Sequence, residues 1–279
     1  MYRLSVANAD QCPIRKPIAG WALHALEQYR PELRDQARTA FRFRPGYPTL
    51  LAIASGSPAY DAGLREDDIL LAVNGEPLGQ AAETAAGVDV TYARLAAQTL
   101  QIDQALRAGP ARFVVSRDTD EFIVSVTPTV ACGYEAQVMP SPDVNAGADG
   151  ERISITSGLV AYASSDNDLA LLLGHEMAHN ALRHAELWRT DQRSRLSPRP
   201  PGVIRQVEQE ADRTGMIFAA RAEFDLSQAA GFRRRFSQDF ASAHFGWFGY
   251  PSGEARAQAH ERDWREIVER RTRGEPLPP

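Results

Sequence analysis

His175-Glu176-Met177-Ala178-His179 sets two imidazoles and a carboxylate at a spacing suited to holding a metal and moving a proton. Residues four apart on a helix differ by only about 40° around its axis, so both rings face one side, one turn apart. Such a pair can bind one zinc ion at about 2.0–2.1 Å per nitrogen. Glu176 stands beside that face, where it reaches a water on the metal rather than the metal itself and serves as general base. A catalytic zinc takes three protein ligands and leaves one position open. Glu208, in the stretch Glu208-Gln209-Glu210-Ala211-Asp212, is the candidate for the third. Asp212 lies four residues on and shares its face, placed to accept a hydrogen bond from the free N–H of a ligand histidine. Glu210 sits about 200° from Glu208 and is expected to face solvent. His184, nine residues after His175, falls about 180° around the same helix and is expected to be structural. His24 and His260 have no support as ligands.

The first motif follows Leu169-Ala170-Leu171-Leu172-Leu173. Two histidines and a glutamate directly after such an apolar run are costly in a buried helix unless they have a task. Ser164, Ser165 and Asp166 supply N-cap residues for a helix from residue 168 to about 188. Ile153 and Ile155 alternate with polar neighbours, as in an edge or half-buried strand. Residues 189–202 are rich in Arg, Ser and Pro and read as an exposed loop able to cover the cleft. Helical patterns resume over residues 203–222, 226–243 and 254–271.

Upstream, residues 17–40 read as helical in two pieces. Residues 48–128 read as a compact unit of short strands and helices. Residues 50–54 and 69–73 are strand-like, the second closed by the turn Asn74-Gly75. Residues 91–107 suit a helix stopped by Gly109-Pro110. Residues 113–115 and 122–126 suit paired strands around a turn at 118–120.

The 279 residues carry a net charge of −5, which argues against a nucleic-acid binder, because such domains meet phosphates with a basic excess. No run reaches the roughly 18–20 apolar residues that span a bilayer. Residues 1–10 lack a charged start followed by an apolar stretch, so no leader is expected within this chain. Cys12 and Cys132 either form one bridge in an oxidising compartment or are two unrelated buried thiols.

HEMAH followed by ExxAD resembles the metallopeptidase family numbered forty-eight, the Ste and HtpX type of gluzincin. Asn145-Ala146, Asp149-Gly150 and Ile153 to Leu159 look like the strand that precedes that family's active-site helix. Asn167 to Ala170 resembles its helix start, and Ala211-Asp212-Arg213-Thr214-Gly215 its ligand helix. The resemblance spans roughly residues 131–272. It implies a zincin fold, one Zn²⁺ per chain and endopeptidase activity on protein or peptide substrates. By position it makes His175, His179 and Glu208 ligands, Glu176 the base and Asp212 their support. Many members carry a downstream His-Pro pair. Here Tyr250-Pro251 and Arg256 occupy the matching region. Tyr250 either donates to the oxyanion of the tetrahedral intermediate or packs as an ordinary aromatic. His244 either takes the missing role or is a surface histidine. Arg256 either orients a ligand-side carboxylate or lies on a helix surface.

Ser57-Pro58-Ala59, Ala62-Gly63-Leu64, Asp67-Asp68-Ile69-Leu70 and Val73-Asn74-Gly75 resemble a PDZ domain. Such modules bind extended peptides by adding a strand to a sheet edge. Tyr47-Pro48-Thr49-Leu50 is not a clear carboxylate-binding loop. Residues 1–40 resemble the leading helical segment of the same peptidase type, so the PDZ reads as inserted. Cys12 and Cys132 then flank the insertion, and a bridge between them would tie the N-terminal segment to the peptidase core.

The expected architecture is α+β: residues 1–44 a helical segment of the peptidase, 45–130 a PDZ-like domain and 131–279 a zincin core. The expected function is zinc-dependent endopeptidase, with the PDZ recruiting or gating substrate. A non-hydrolytic PDZ adaptor or holdase with a structural zinc is the alternative. Related soluble members place such a protein in the bacterial periplasm or cell envelope, with envelope proteins as possible PDZ partners; otherwise it is cytoplasmic.

Overall fold

The computed structural model describes residues 1–79, 92–190, 201–240 and 251–278, without the side chains of 188–190. The chain divides into two compact units. One holds Met1, residues 3–15 and residues 131–279; the other holds Tyr2 and residues 16–130. The division therefore falls at 15/16 on the N-terminal side, where the sequence reading set it at 44/45.

After helix α1 (Tyr2–Ala7), the second unit runs through strands β1 (Arg15–Ile18) and β2 (Trp21–His24), helix α2 (Arg34–Ala40), strand β3 (Thr49–Ile53), short helix α3 (Pro58–Asp61), strands β4 (Ile69–Val73) and β5 (Glu76–Pro77), helix α4 (Ala93–Arg107) and strands β6 (Ala111–Arg117), β7 (Asp120–Val126) and β8 (Thr129–Cys132). Its main sheet has the order β2-β3-β4-β6-β7, with β5 hairpinned onto β4. Asn74 and Gly75 both take positive φ, as the Asn-Gly signal predicted. Leu50, Leu70, Ile102, Phe113 and Val115 fill its core.

Residues 17–40 are the clearest departure from expectation. They form strands, 3₁₀ turns and one short helix rather than two helices. A short apolar run does not distinguish strand from helix by pattern alone. Tertiary contacts decide it: Trp21 stacks edge-on against Phe113 at 5.3 Å. Gly20, at φ +84°, leaves no room for a side chain, since a Cβ there would stand 2.3 Å from Ser57 Cβ. β2 ends the sheet, and α4 packs beside it. Among the described residues, the sheet edge next to α4 is Trp21–His24.

The first unit continues with β9 (Glu135–Met139), β10 (Ala146–Ala148), β11 (Arg152–Thr156) and helices α5 (Ser157–Tyr162), α6 (Asp166–Ala181), α7 (His184–Thr190), α8 (Pro201–Arg221), α9 (Ala229–Asp239) and α10 (Gly253–Thr272). β11 is the centre of a three-stranded sheet, antiparallel to β10 and parallel to β9, rather than an edge. Its Ile153 and Ile155 still alternate inward as read, joining Leu171, Met177, Phe218 and Phe232 in the core. Ser165 caps α6 by accepting from Asp168 N–H at 3.2 Å, and Asp166 and Asp168 suit the positive end of the helix.

The expected single helix over 168–188 is broken. Arg183 takes φ +56°, ends α6 and starts α7 in a new direction. α6 and α8 meet backbone to backbone. A Cβ added at Gly174 would stand 2.6 Å from Gly215 O, and one added at Gly215 would stand 2.6 Å from His175 N. The loop read at 189–202 lies almost wholly outside the described residues.

Cys12 and Cys132 form a disulfide, with Cα atoms 5.4 Å apart and 120 residues between them. It lies within the first unit and closes a loop that contains all of residues 16–130. By loop entropy, a closure of that length opposes unfolding of the whole chain by about 4–5 kcal/mol at 25 °C. Urea denaturation with and without reductant is expected to show a loss of that order. The loss shrinks for any transition in which residues 16–130 stay folded, because that unit already holds its own ends together. Gly215→Ala is expected to cost at least about 1–3 kcal/mol, since only backbone can yield there. It should also weaken any metal binding at His175 by displacing α8 from it. A melting curve and a chelator competition on the same preparation measure both.

Candidate metal centre

The Gly174–Gly215 contact places the His175 face of α6 against the Glu208 face of α8. Glu208 precedes Gly215 by seven residues, two helical turns, and so lies on nearly the same side. His175 Nε2 is 3.1 Å from His179 Nε2 and 3.5 Å from Glu208 Oε2, and His179 Nε2 is 3.7 Å from Glu208 Oε1. Tetrahedral zinc with bonds of about 2.0–2.2 Å holds neighbouring ligand atoms about 3.3–3.6 Å apart. The three side chains therefore converge closely enough to hold one metal ion. Among the described residues, no other set of three or more His, Cys, Asp or Glu converges in this way.

Asp212 is the hub behind the ligands and is 3 % exposed. Its Oδ1 lies 3.0 Å from His175 Nδ1. Arg256 grips it with two hydrogen bonds, Nε donating to Oδ2 at 2.7 Å and Nη2 to Oδ1 at 2.6 Å. Arg233 Nη2 donates to Oδ1 at 3.4 Å, and His260 Nε2 stands 3.7 Å away. Burial alone would raise the Asp212 pKa. The Arg256 and Arg233 guanidiniums more than offset it and hold the carboxylate well below its ordinary range. Arg256 is also 3.7 Å from Glu208 Oε2. It is buried, so the helix-surface alternative does not hold.

Glu176 keeps some access to solvent. Desolvation nevertheless pushes its pKa up, His175 acts against this, and the neighbouring Glu208 charge adds to it. A carboxyl raised in this way is a stronger base once ionised. Desolvation, followed by the adjacent His175 and His184 rings, lowers the pKa of His179 far below the usual imidazole value. A neutral ring is the form that ligates a metal.

Of the residues singled out in the sequence, His175, His179, Glu208, Glu176, Asp212 and Arg256 gather in this one place. Tyr250 and His244 lie outside the described residues. His184 is not turned away from the site: its Nδ1 is 2.9 Å from His179 Nδ1. Glu210, read as solvent-facing, is exposed but holds Oε2 3.4 Å from His184 Nε2. Sequence reasoning missed Arg233 and His260. Arg256 and His260 are four apart on α10, a spacing that puts both on one helix face and was there to be read. Arg233 gives no comparable signal, for it sits in a run of three arginines of which the other two are on or near the surface.

Comparison with known proteins found two family models. One described as Peptidase family M48 matches residues 114–192, a segment that includes His175 to His179 but not Glu208, Asp212 or Arg256. One described as PDZ domain matches residues 50–89. No curated protein matches the chain. Among solved structures, the HtrA3 PDZ domain bound to a phage-derived ligand (FGRWV) is 22 % identical with TM-score 0.28, covering 42 % of this chain and 88 % of that one. The HtrA-type protease AlgW with a decapeptide is 16 % identical with TM-score 0.28, covering 42 % of this chain and 29 % of that one. The chain thus contains one segment that matches the M48 peptidase family and another that matches the PDZ domain.

Proposed function

We propose that this protein is a zinc-dependent endopeptidase acting on protein or peptide chains, with one Zn²⁺ held by His175, His179 and Glu208. The observation that carries the reading is the convergence of the three side chains, with His175 Nε2 and His179 Nε2 3.1 Å apart, one Glu208 oxygen 3.5 Å from the first and the other 3.7 Å from the second. Zinc in such a site supplies a Lewis acid that polarises a scissile carbonyl and makes a water easier to deprotonate.

The chain's own groups divide the remaining work. Asp212 and Arg256 fix the His175 ring and hold its Nε2 forward. Glu176 takes a proton from the attacking water and passes it to the departing amine, a transfer its raised pKa favours. The open edge of β2 beside α4 supports a second part of the proposal. An extended peptide joins the sheet there and is thereby recruited to the enzyme. The bridge between Cys12 and Cys132 supports placement in an oxidising compartment such as the bacterial envelope.

The test compares the intact protein with Glu176→Gln for bound metal and for casein cleavage. The intact protein is expected to carry about one zinc per chain and to lose cleavage when a chelator removes it. Glu176→Gln should keep the zinc and lose cleavage by about 10²–10⁴-fold. Equal cleavage by the two proteins would overturn the role of Glu176. An intact protein that binds zinc yet cleaves nothing would favour the adaptor alternative.

A further inference from the structure

We infer that His184 is a positioning residue for the zinc site: it accepts the Nδ1–H of His179 and is itself held by Glu210, so that an imidazole–imidazole–carboxylate chain fixes which nitrogen of His179 faces the metal. This inference rests on the zinc reading above. It uses residues that reading leaves idle.

The geometry leaves little choice of proton placement. His179 Nε2 is the atom turned toward His175 Nε2 and Glu208, so it is the metal-facing nitrogen. A metal-bound nitrogen carries no proton, so the proton of neutral His179 is on Nδ1. That Nδ1 stands 2.9 Å from the Nδ1 of His184. Two ring nitrogens at this distance share one proton, so His184 Nδ1 is bare and accepts. The proton of neutral His184 then sits on Nε2, which faces Glu210 Oε2 at 3.4 Å. The direction of each bond in the chain is set by the metal at its far end.

The backbone is arranged to make this possible. On an unbroken helix, residue 184 would lie about 140° around the axis from residue 179. Arg183 at φ +56° stops α6 and swings His184 back onto His179. A non-glycine residue in that region is uncommon. The resulting His184 side chain is 3 % exposed. The two ligand histidines are thus held by unlike partners. His175 leans on a carboxylate pinned by two arginines, His179 on a neutral ring whose own carboxylate is half exposed.

The test measures zinc affinity by chelator competition, the visible spectrum of the cobalt-loaded protein, and the melting temperature of metal-free protein. It compares the full chain with His184→Phe, His184→Gln and Glu210→Gln. His184→Phe keeps a ring but removes the acceptor, and it should weaken zinc binding about 10–100-fold with an altered cobalt spectrum. His184→Gln restores an acceptor and should recover most of that loss. Glu210→Gln should shift affinity in the same direction by less than His184→Phe. Metal-free melting temperatures should move little in all three. Unchanged zinc affinity and cobalt spectrum in His184→Phe would overturn the inference. So would equal losses in His184→Phe and His184→Gln that track a fall in metal-free stability. If His184→Phe does not fold, His184→Gln and Glu210→Gln decide: near-native affinity in the first with a measurable loss in the second supports the inference, and any other pair of results overturns it. Intact protein that binds no zinc would instead overturn the proposed function.

Discussion

The absence of side chains at Gly174 and Gly215 is the constraint on which the metal centre depends. Helix axes normally pack at about 8–10 Å because side chains intervene. Here a Cβ on either residue would enter the other helix's backbone. His175 is the next residue after Gly174, and Glu208 and Asp212 lie two turns and about one turn before Gly215. Their mutual distances therefore follow from how closely the two helices approach. Bonds to a metal tolerate errors of about 0.2 Å, and a side chain cannot absorb a helix displaced by a methyl group.

Close approach brings buried charge with it. Glu176, Glu208 and Asp212 share a small volume, and Arg233 and Arg256 are the buried cations that face them. Arg233 is pushed down to about 10 by its own burial and by Arg256, which shows how crowded the positive side is. Ion pairs of this kind seldom add net stability, since desolvation consumes most of the attraction. Their value is geometric. A bidentate guanidinium fixes the Asp212 plane, and its Oδ1 stands 3.0 Å from His175 Nδ1. Helix α8 contributes Glu208 and Asp212, α9 Arg233 and α10 Arg256, so this cluster depends on the packing of all three helices.

Legibility in the sequence followed the range of the interaction. HExxH and the Glu208/Asp212 pair are local patterns with helical period, and the structure gathers all of them together. The PDZ signature could be read because its turns need Gly and Asn at fixed places. Residues 17–40 could not, because Trp21 and Leu23 become a strand only when β3 and Phe113 are beside them. His184 was misplaced for a related reason. Angular bookkeeping assumes an unbroken helix, and nothing local to Arg183 announces a left-handed residue. Arg233 is invisible without the fold, since its neighbours Arg234 and Arg235 have the same chemistry and face outward.

The bridge between Cys12 and Cys132 also bears on the order in which the molecule can be made. During synthesis, Cys12 has no partner until 120 further residues have been added. Asn8, which donates to Phe218 O, and Arg3, which donates to Ala222 O, wait longer still. The N-terminal segment is thus stranded while residues 16–130 emerge and fold. That intervening module gathers its own two ends as it folds, and so delivers the early thiol to the late one. A PDZ domain lodged at this point in the chain would act as an assembly jig for the residues on either side of it.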